Sequence, residues 1–367
     1  MTGRPRLAVV STDLRRDLAR PMRHFTRFEV VHLYRRAPYG DLLPEELGEH
    51  DFRYRSPADL LAKLRAAGPD VVQGVEPLSV ALSPYQAVVD AYARVRRIPV
   101  VASAHASRPL RHRYGRAGGR LAGVLLRPLL HRPRIFFCVN EGAARELRSA
   151  GVPGERIVRH LYGTWGVEVD EFSPVPDGRE PAWSRPTVLF VGRLHAEKGI
   201  WELLRAFRLV SREVPDAGLV IAGDGPERRR AQVSAATLGD RVTFLGPVLN
   251  RDVAPLLRAA ALLAAPSVTT RRWEEFAGAV PMQAMACGTP VVATRSGALP
   301  QYVPDGGAGL LVAERDPEAL AAAMTQLLTD PERRRRLGAA GRDHAVRRLD
   351  ARQNVRAAED LIAARCL

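Results

Sequence analysis

Short β-branched apolar runs alternate along this chain with Gly- or polar-rich turns and longer amphipathic stretches. In the first half the runs fall at 7–11, 30–33, 71–74, 100–103 and 135–139. In the second half they fall at 187–191, 219–223, 242–245, 261–265 and 290–294. Some, such as Val188-Leu189-Phe190-Val191 and Leu219-Val220-Ile221-Ala222, are apolar at every position. A strand with one wet face alternates apolar and polar residues. An unbroken apolar run instead predicts a strand buried on both faces, as in a parallel sheet covered by helices. The repeated β-then-α rhythm therefore predicts a doubly wound α/β fold. Between the two series, residues 166–186 are rich in Pro, Asp, Glu and Ser and read as a linker. From Arg333 onward the pattern is helical, and no repeat at solenoid spacing is visible.

The length of 367 residues is comfortable for two domains, each with its own core. With 46% hydrophobic and 26% charged residues the composition is globular, which excludes wholesale disorder. The three cysteines, Cys138, Cys287 and Cys366, are scattered without metal-ligand spacing and suit a reducing compartment. The apolar run at 7–10 is too short for a signal peptide. The longest mostly apolar stretch, 276–293, is interrupted by Gln283, Gly288 and Pro290 and does not read as a membrane span. A cytoplasmic protein is expected.

Charge complicates that picture. The net charge is +15, carried almost wholly by arginine, because Lys63 and Lys198 are the only lysines. The densest cationic block, 108–134, contains eight arginines and no acidic residue, interleaved with Leu121, Val124, Leu125, Leu126, Leu129 and Leu130. One reading is an amphipathic surface for an anionic membrane, giving peripheral contact with its inner face. The other is a helix that packs its leucines on the first domain and leaves its arginines in solvent. Nucleic acid is not an expected partner, since the block lacks interleaved aromatics apart from Tyr114 and no nucleic-acid motif occurs.

Candidate chemistry clusters in the second half. Val191-Gly192-Arg193-Leu194-His195-Ala196-Glu197-Lys198-Gly199 follows a strand and opens a helix. Glycines at such a turn let backbone N–H groups approach an anion, while Arg193 offers a planar fork and Lys198 a point charge. An ordinary loop with solvated cations is the plainer alternative. Ala222-Gly223-Asp224-Gly225-Pro226 ends another strand, and a tight turn explains it about as well. In the third segment Glu275 and Phe276 precede Gly278, Ala279 and Val280, whose N–H groups at a helix start suit phosphate or sugar oxygens. Gln283 lies further along that helix, and Met282, Met285 and Ala286 read as core.

The order of Gly-Arg-Leu-x-x-Glu-Lys-Gly, Gly-Asp-Gly-Pro, Phe244-Leu245-Gly246 and Glu-x7-Gln-Ala-Met-Ala-x-Gly-x-Pro-Val-Val resembles the retaining glycosyltransferases of family four. Their fold, GT-B, has two Rossmann-like doubly wound domains facing across a cleft. The likeness is close over 187–312. It is looser in the first half, where Ile98-Pro99-Val100-Val101 leading to His105 and Gly166-Val167…Phe172-Ser173-Pro174 carry it. It implies an acceptor-binding domain at 1–170, a nucleotide-sugar-binding domain at 171–350, and a C-terminal helix at 351–367 packing back on the first domain.

The resemblance implies catalytic roles for Arg193, Lys198, Glu275 and His105, with the two cations holding the donor diphosphate. It implies donor contacts from Gly192, Gly223, Gly225, Phe276, Gly278, Ala279, Val280 and Gln283. Two departures stand out. Gln283 replaces the usual second Glu, which grips the ribose hydroxyls, and 11–16 lacks the Gly-Gly loop common in relatives. No Asp-x-Asp occurs anywhere, so no metal and no cofactor are expected. The expected reaction moves a hexosyl group from a UDP- or GDP-sugar to an acceptor hydroxyl with retention. The acceptor stays open between a cell-surface glycan or lipid and a small metabolite. Alternatives are a nucleotide-sugar epimerase of the same architecture and a sugar-nucleotide-binding protein without turnover.

Overall fold

The computed structural model describes residues 3–36, 42, 46–175 and 183–367; the middle of the expected linker, 176–182, lies outside them. The chain divides into two compact units, Met1–Trp165 with Ala351–Leu367, and Gly166–Asp350. The boundary therefore falls at 165/166, and the C-terminal segment belongs to the first unit.

The first unit is built on β1 (Arg6–Ser11), β2 (Glu29–Tyr34), β3 (Asp51–Arg53), β4 (Val71–Gln73), β5 (Val100–Ala104), β6 (Ile135–Cys138) and β7 (Ile157–Arg159). They form one parallel sheet in the order β3-β2-β1-β4-β5-β6-β7. The second unit uses β8 (Thr187–Val191), β9 (Gly218–Ala222), β10 (Val242–Gly246), β11 (Leu262–Ala265), β12 (Val291–Thr294) and β13 (Gly309–Val312). Its order is β10-β9-β8-β11-β12-β13, again parallel. Each sheet reverses its winding once, between β1 and β4 and between β8 and β11. In open sheets of this kind ligands bind beyond the carboxyl ends of the strands at that reversal.

Three strands were not predicted, β3, β7 and β13, and all three are sheet edges. An edge strand lacks a neighbour on one side, so it need not be apolar throughout. Phe52 and Arg53 of β3 and Arg159 of β7 are exposed. β13 is apolar but short, and it follows Asp305-Gly306-Gly307, which reads as a loop.

Both faces of the first sheet are covered, as its unbroken apolar runs require. Ala8 and Val10 pack with Leu60, Leu64 and Val89 from helices Pro57–Ala67 and Ser83–Arg96. Leu7 and Val9, one residue out of phase, pack on the other face with Val355, Ala358 and Ile362 of the helix Ala351–Cys366. That helix is fixed by a buried carboxylate. Glu359, 1% exposed, accepts backbone N–H bonds from Thr26 (2.8 Å), Arg27 (2.7 Å) and Phe28 (3.3 Å). Three donors satisfy a charge that would otherwise be costly to bury.

One buried acid is less well satisfied. Asp90, on the helix Ser83–Arg96, accepts a single bond among the described residues, from Gln86 Nε2 (3.0 Å). Burial pushes its pKa up to about 6, against the opposing pull of the Gln86 bond, Arg132 and Arg94. A raised pKa means that its favourable contribution is complete below the ordinary value of 3.8 and lost as pH rises through about 6. Asp90→Asn keeps the acceptor and the shape. The variant should match the parent chain at pH ~4 and exceed it by roughly 1–3 kcal/mol at pH ~8. Urea unfolding at the two pH values checks this, and a difference that does not vary with pH contradicts it.

Candidate active site

The second unit gathers its candidate residues beyond the carboxyl ends of β8, β9 and β11. After β8 the chain turns at Gly192, and the β9 loop lies directly against it. A Cβ at Gly223, where φ is +145°, would stand 1.9 Å from the Gly192 carbonyl oxygen. Backbone bonds Leu194 N to Asp224 O (2.8 Å) and Glu227 N to Leu194 O (3.0 Å) clamp the two turns together. Gly199 makes a second close approach. With φ of +75°, it passes so near the β11 loop that a Cβ would meet Pro266 O at 1.8 Å. Val268 N donates to Glu197 O (2.8 Å) beside it. These contacts bring the Lys198 turn onto the segment that carries Glu275.

The result is a half-buried ion pair. Lys198 Nζ lies 2.6 Å from Glu275 Oε2, with side-chain exposures of 22% and 8%. Ser267 Oγ donates to the same oxygen at 3.0 Å, and Thr294 Oγ1 donates to the Ser267 carbonyl. The Lys198 ammonium also lies 4.8 Å from the centroid of the Trp273 ring, in cation–π range. Beyond Glu275, Gly278 (φ +81°) caps the helix Ala279–Ala286 without a side chain, and Ala279 and Val280 form its open first turn. Gln283 is 5% exposed, and its Oε1 has no hydrogen-bond partner among the described residues. A buried acceptor left unsatisfied costs about 1–3 kcal/mol unless something donates to it.

The placement of the other expected residues is uneven. Arg193 is solvent-exposed and makes no ion pair among the described residues, Phe276 is half-buried, and Gly225 packs against Leu194 O. His105 belongs to the first unit, where it follows β5. Ser103 Oγ donates to the buried Tyr162 carbonyl (2.8 Å), so its contact with His105 Nε2 (3.1 Å) has the ring as donor. His105 Nδ1 faces Glu76 Oε2 at 3.3 Å. The same carboxylate accepts the backbone N–H of His105 (2.6 Å) and of Ala106 (3.3 Å), and Glu76 Oε1 accepts that of Leu78 (3.1 Å). Asn140 Nδ2 bonds the His105 carbonyl at 2.8 Å. The ring is thus oriented as a hydrogen-bond donor. At the glycine-free turn after β1, Ser11 Oγ meets His32 Nε2 (2.7 Å) and His32 Nδ1 meets Asp51 Oδ1 (3.1 Å), tying β1, β2 and β3 together.

Glu76, Ser103, Ser267 and Trp273 were not singled out from the sequence. Glu76 and Ser267 could have been, since each lies in the loop after the strand beyond a winding reversal.

Two parallel sheets, each with one winding reversal, define an α/β protein of GT-B type. Residues 7–160 match the model of Glycosyltransferase Family 4 and residues 179–344 that of Glycosyl transferases group 1; the chain belongs to family four of the glycosyltransferases. It is 37% identical over 191 residues to the GDP-mannose-dependent alpha-(1-6)-phosphatidylinositol monomannoside mannosyltransferase of Mycolicibacterium smegmatis, covering 49% of this chain and 50% of that one. It is 30% identical over 260 residues to the alpha-D-kanosaminyltransferase of Streptomyces kanamyceticus, covering 66% and 65%. The chain thus spans about half the length of curated relatives such as the first. Anabaena Alr3699/HepE, solved with UDP, shares the fold at a TM-score of 0.78 and 18% identity, over 98% of this chain and 100% of that one.

Burial alone would raise the Glu76 pKa, but the His105 side chain and the backbone N–H groups of His105 and Leu78 outweigh it and hold the carboxyl below its ordinary 4.5. Such a lowered group stabilises the fold above that value, and its contribution is lost as pH falls through the folded-state pKa. Glu76→Gln should therefore cost about 1–3 kcal/mol at neutral pH. The deficit should shrink as the solution is acidified below pH 4.5, the ordinary value. Thermal melts across that range test it; a deficit that persists unchanged in acid contradicts the assignment.

Proposed function

We propose that this chain transfers a hexosyl group from a UDP- or GDP-linked sugar to an acceptor hydroxyl, with retention and without a metal ion. The observation that carries the reading is the Lys198–Glu275 pair set beside an uncapped helix start and an unpartnered Gln283 oxygen. Each of these lacks something a sugar nucleotide has. The helix start takes phosphate oxygens, Lys198 takes the diphosphate charge, and Gln283 Oε1 accepts a hydrogen bond from a ribose hydroxyl.

As the glycosidic bond breaks, negative charge grows on the departing diphosphate. A cation already fixed there stabilises the transition state more than the ground state. Lys198 is fixed by Glu275 and by the Trp273 ring, and the exposed Arg193 is available to close on the diphosphate as a planar fork. Glu275, released from Lys198 by the incoming phosphate, is left to accept hydroxyls of the transferred sugar. His105 would serve a sugar oxygen only by turning its Nε2–H away from Ser103. Because Lys198 and Arg193 supply the positive charge, the departing group is neutralised by side chains alone.

The two relatives differ in sugar, mannose from GDP-mannose in one and kanosamine in the other, so base and sugar are matters for experiment. A cytoplasmic setting fits the three cysteines, which are all buried and form no disulfide with one another.

Nucleotide release from UDP- and GDP-sugars, followed with and without candidate acceptors, tests the reading. Acceptor-dependent release is expected, and Lys198→Ala should lower its rate by roughly 10²–10³. Conversion of the donor without any acceptor would point to an epimerase, and tight binding without turnover to a binding protein. Undiminished turnover in Lys198→Ala would remove the mechanism.

A further inference from the structure

Of the nine large hydrophobic side chains exposed among the described residues, four stand on one helix, Leu110–Leu126. Gly115, with non-helical φ of 78°, breaks that helix, so 116–126 runs as its own segment. Its inward face is made of small residues and one leucine. Gly119 lies so close to the preceding turn that a Cβ would be 2.7 Å from Arg111 Cα, while Ala122 and Leu126 are buried at 4% and 1%. Leu130, just beyond, is also buried. Three other apolar residues of the cationic block point the opposite way. Leu121 is 71% exposed, Val124 72% and Leu125 50%. With the exposed Ala117 and Pro128 they recur at helical spacing and form one continuous outward stripe.

Arginines flank that stripe. Arg116, Arg120 and Arg127 are exposed, and no acidic residue occurs anywhere in 106–140. A helix that needed its leucines for the domain core would not turn three long apolar side chains to water, where such patches mark interaction sites. The face is apolar along its crest and flanked by arginines. A fluid anionic surface complements that pattern and charge: apolar side chains sink below the headgroups while arginine stems lie alongside and place guanidinium groups at the phosphates.

We propose that this helix face docks on an anionic lipid bilayer, with Leu121, Val124 and Leu125 entering the acyl boundary and Arg116, Arg120 and Arg127 engaging headgroup phosphates. The proposal does not depend on the transfer reaction, and its test reads binding alone.

The full chain is floated at low salt with vesicles of phosphatidylcholine and with vesicles of phosphatidylcholine and phosphatidylglycerol. It should rise with the anionic vesicles only. Replacing the three arginines by Gln should lower partitioning roughly a hundredfold, about fivefold for each charge. Leu121→Ser/Val124→Ser/Leu125→Ser should lower it by more than about tenfold with the net charge unchanged. All six positions face solvent, and a melting temperature within the parent's range confirms that each variant is folded. Failure of the parent chain to float overturns the proposal. So does equal flotation of the Ser variant, which would mean unspecific attraction of a cationic protein. A parent dimer that the Ser variant loses would overturn it too, by showing that a second copy covers the face.

Discussion

The bond between Lys198 and Glu275 is the constraint around which the second unit is arranged. A lysine drawn 2.6 Å from a nearly buried carboxylate needs both partners held in place, because truncating either leaves a charge with nothing opposite it. The surrounding chain supplies that hold. Gly199 lets the Lys198 turn come against Pro266, Val268 bonds back to Glu197, and Ser267 shares the Glu275 oxygen. The Trp273 ring lies in cation–π range of the ammonium. Holding two charges out of water costs free energy that their attraction need not return in full, and the proposed exchange of the carboxylate for a phosphate builds on that.

The first unit solves a similar problem with a histidine. Glu76 collects three backbone N–H groups and faces the His105 ring, while Ser103 and Asn140 fix the ring and the carbonyl. In both units a residue that does the holding, Glu76 after β4 and Ser267 after β11, sits in the loop of a strand at the winding reversal, where neighbouring loops diverge and leave room for a ligand. The C-terminal helix completes the first unit's sheet from the far end of the sequence. Glu359 anchors it to the turn before β2 through contacts more than 300 residues apart in sequence.

Much of this was legible in the sequence, and the gaps have physical causes. The central strands announced themselves because burial on both faces demands apolar residues at every position, as in Val188–Val191. The edge strands β3 and β7 did not, since half of each faces water. Lys198 and Glu275 were visible through their motifs, but their pairing was not, because it depends on how Gly199 and Pro266 meet across two strands. Trp273 left no local signal, as an isolated aromatic in a loop reads as surface until folding places a partner beside it. The leucines of 108–134 show the limit of pattern reading in another way. Sequence marked the block as amphipathic, yet only the break at Gly115 and the packing of Gly119 decide which leucines face in.

Calorimetric titration with UDP and GDP, set against the corresponding nucleosides, tests the exchange of partners by Lys198 most directly. If Lys198 gives up Glu275 for a phosphate, Glu275→Gln strengthens binding of whichever diphosphate the protein takes, several-fold on the order of a surface charge pair. The gain should disappear in a Lys198→Met background and be absent for the nucleoside. A Glu275→Gln protein that binds the diphosphate no better than the parent, or gains equally without Lys198, contradicts the account.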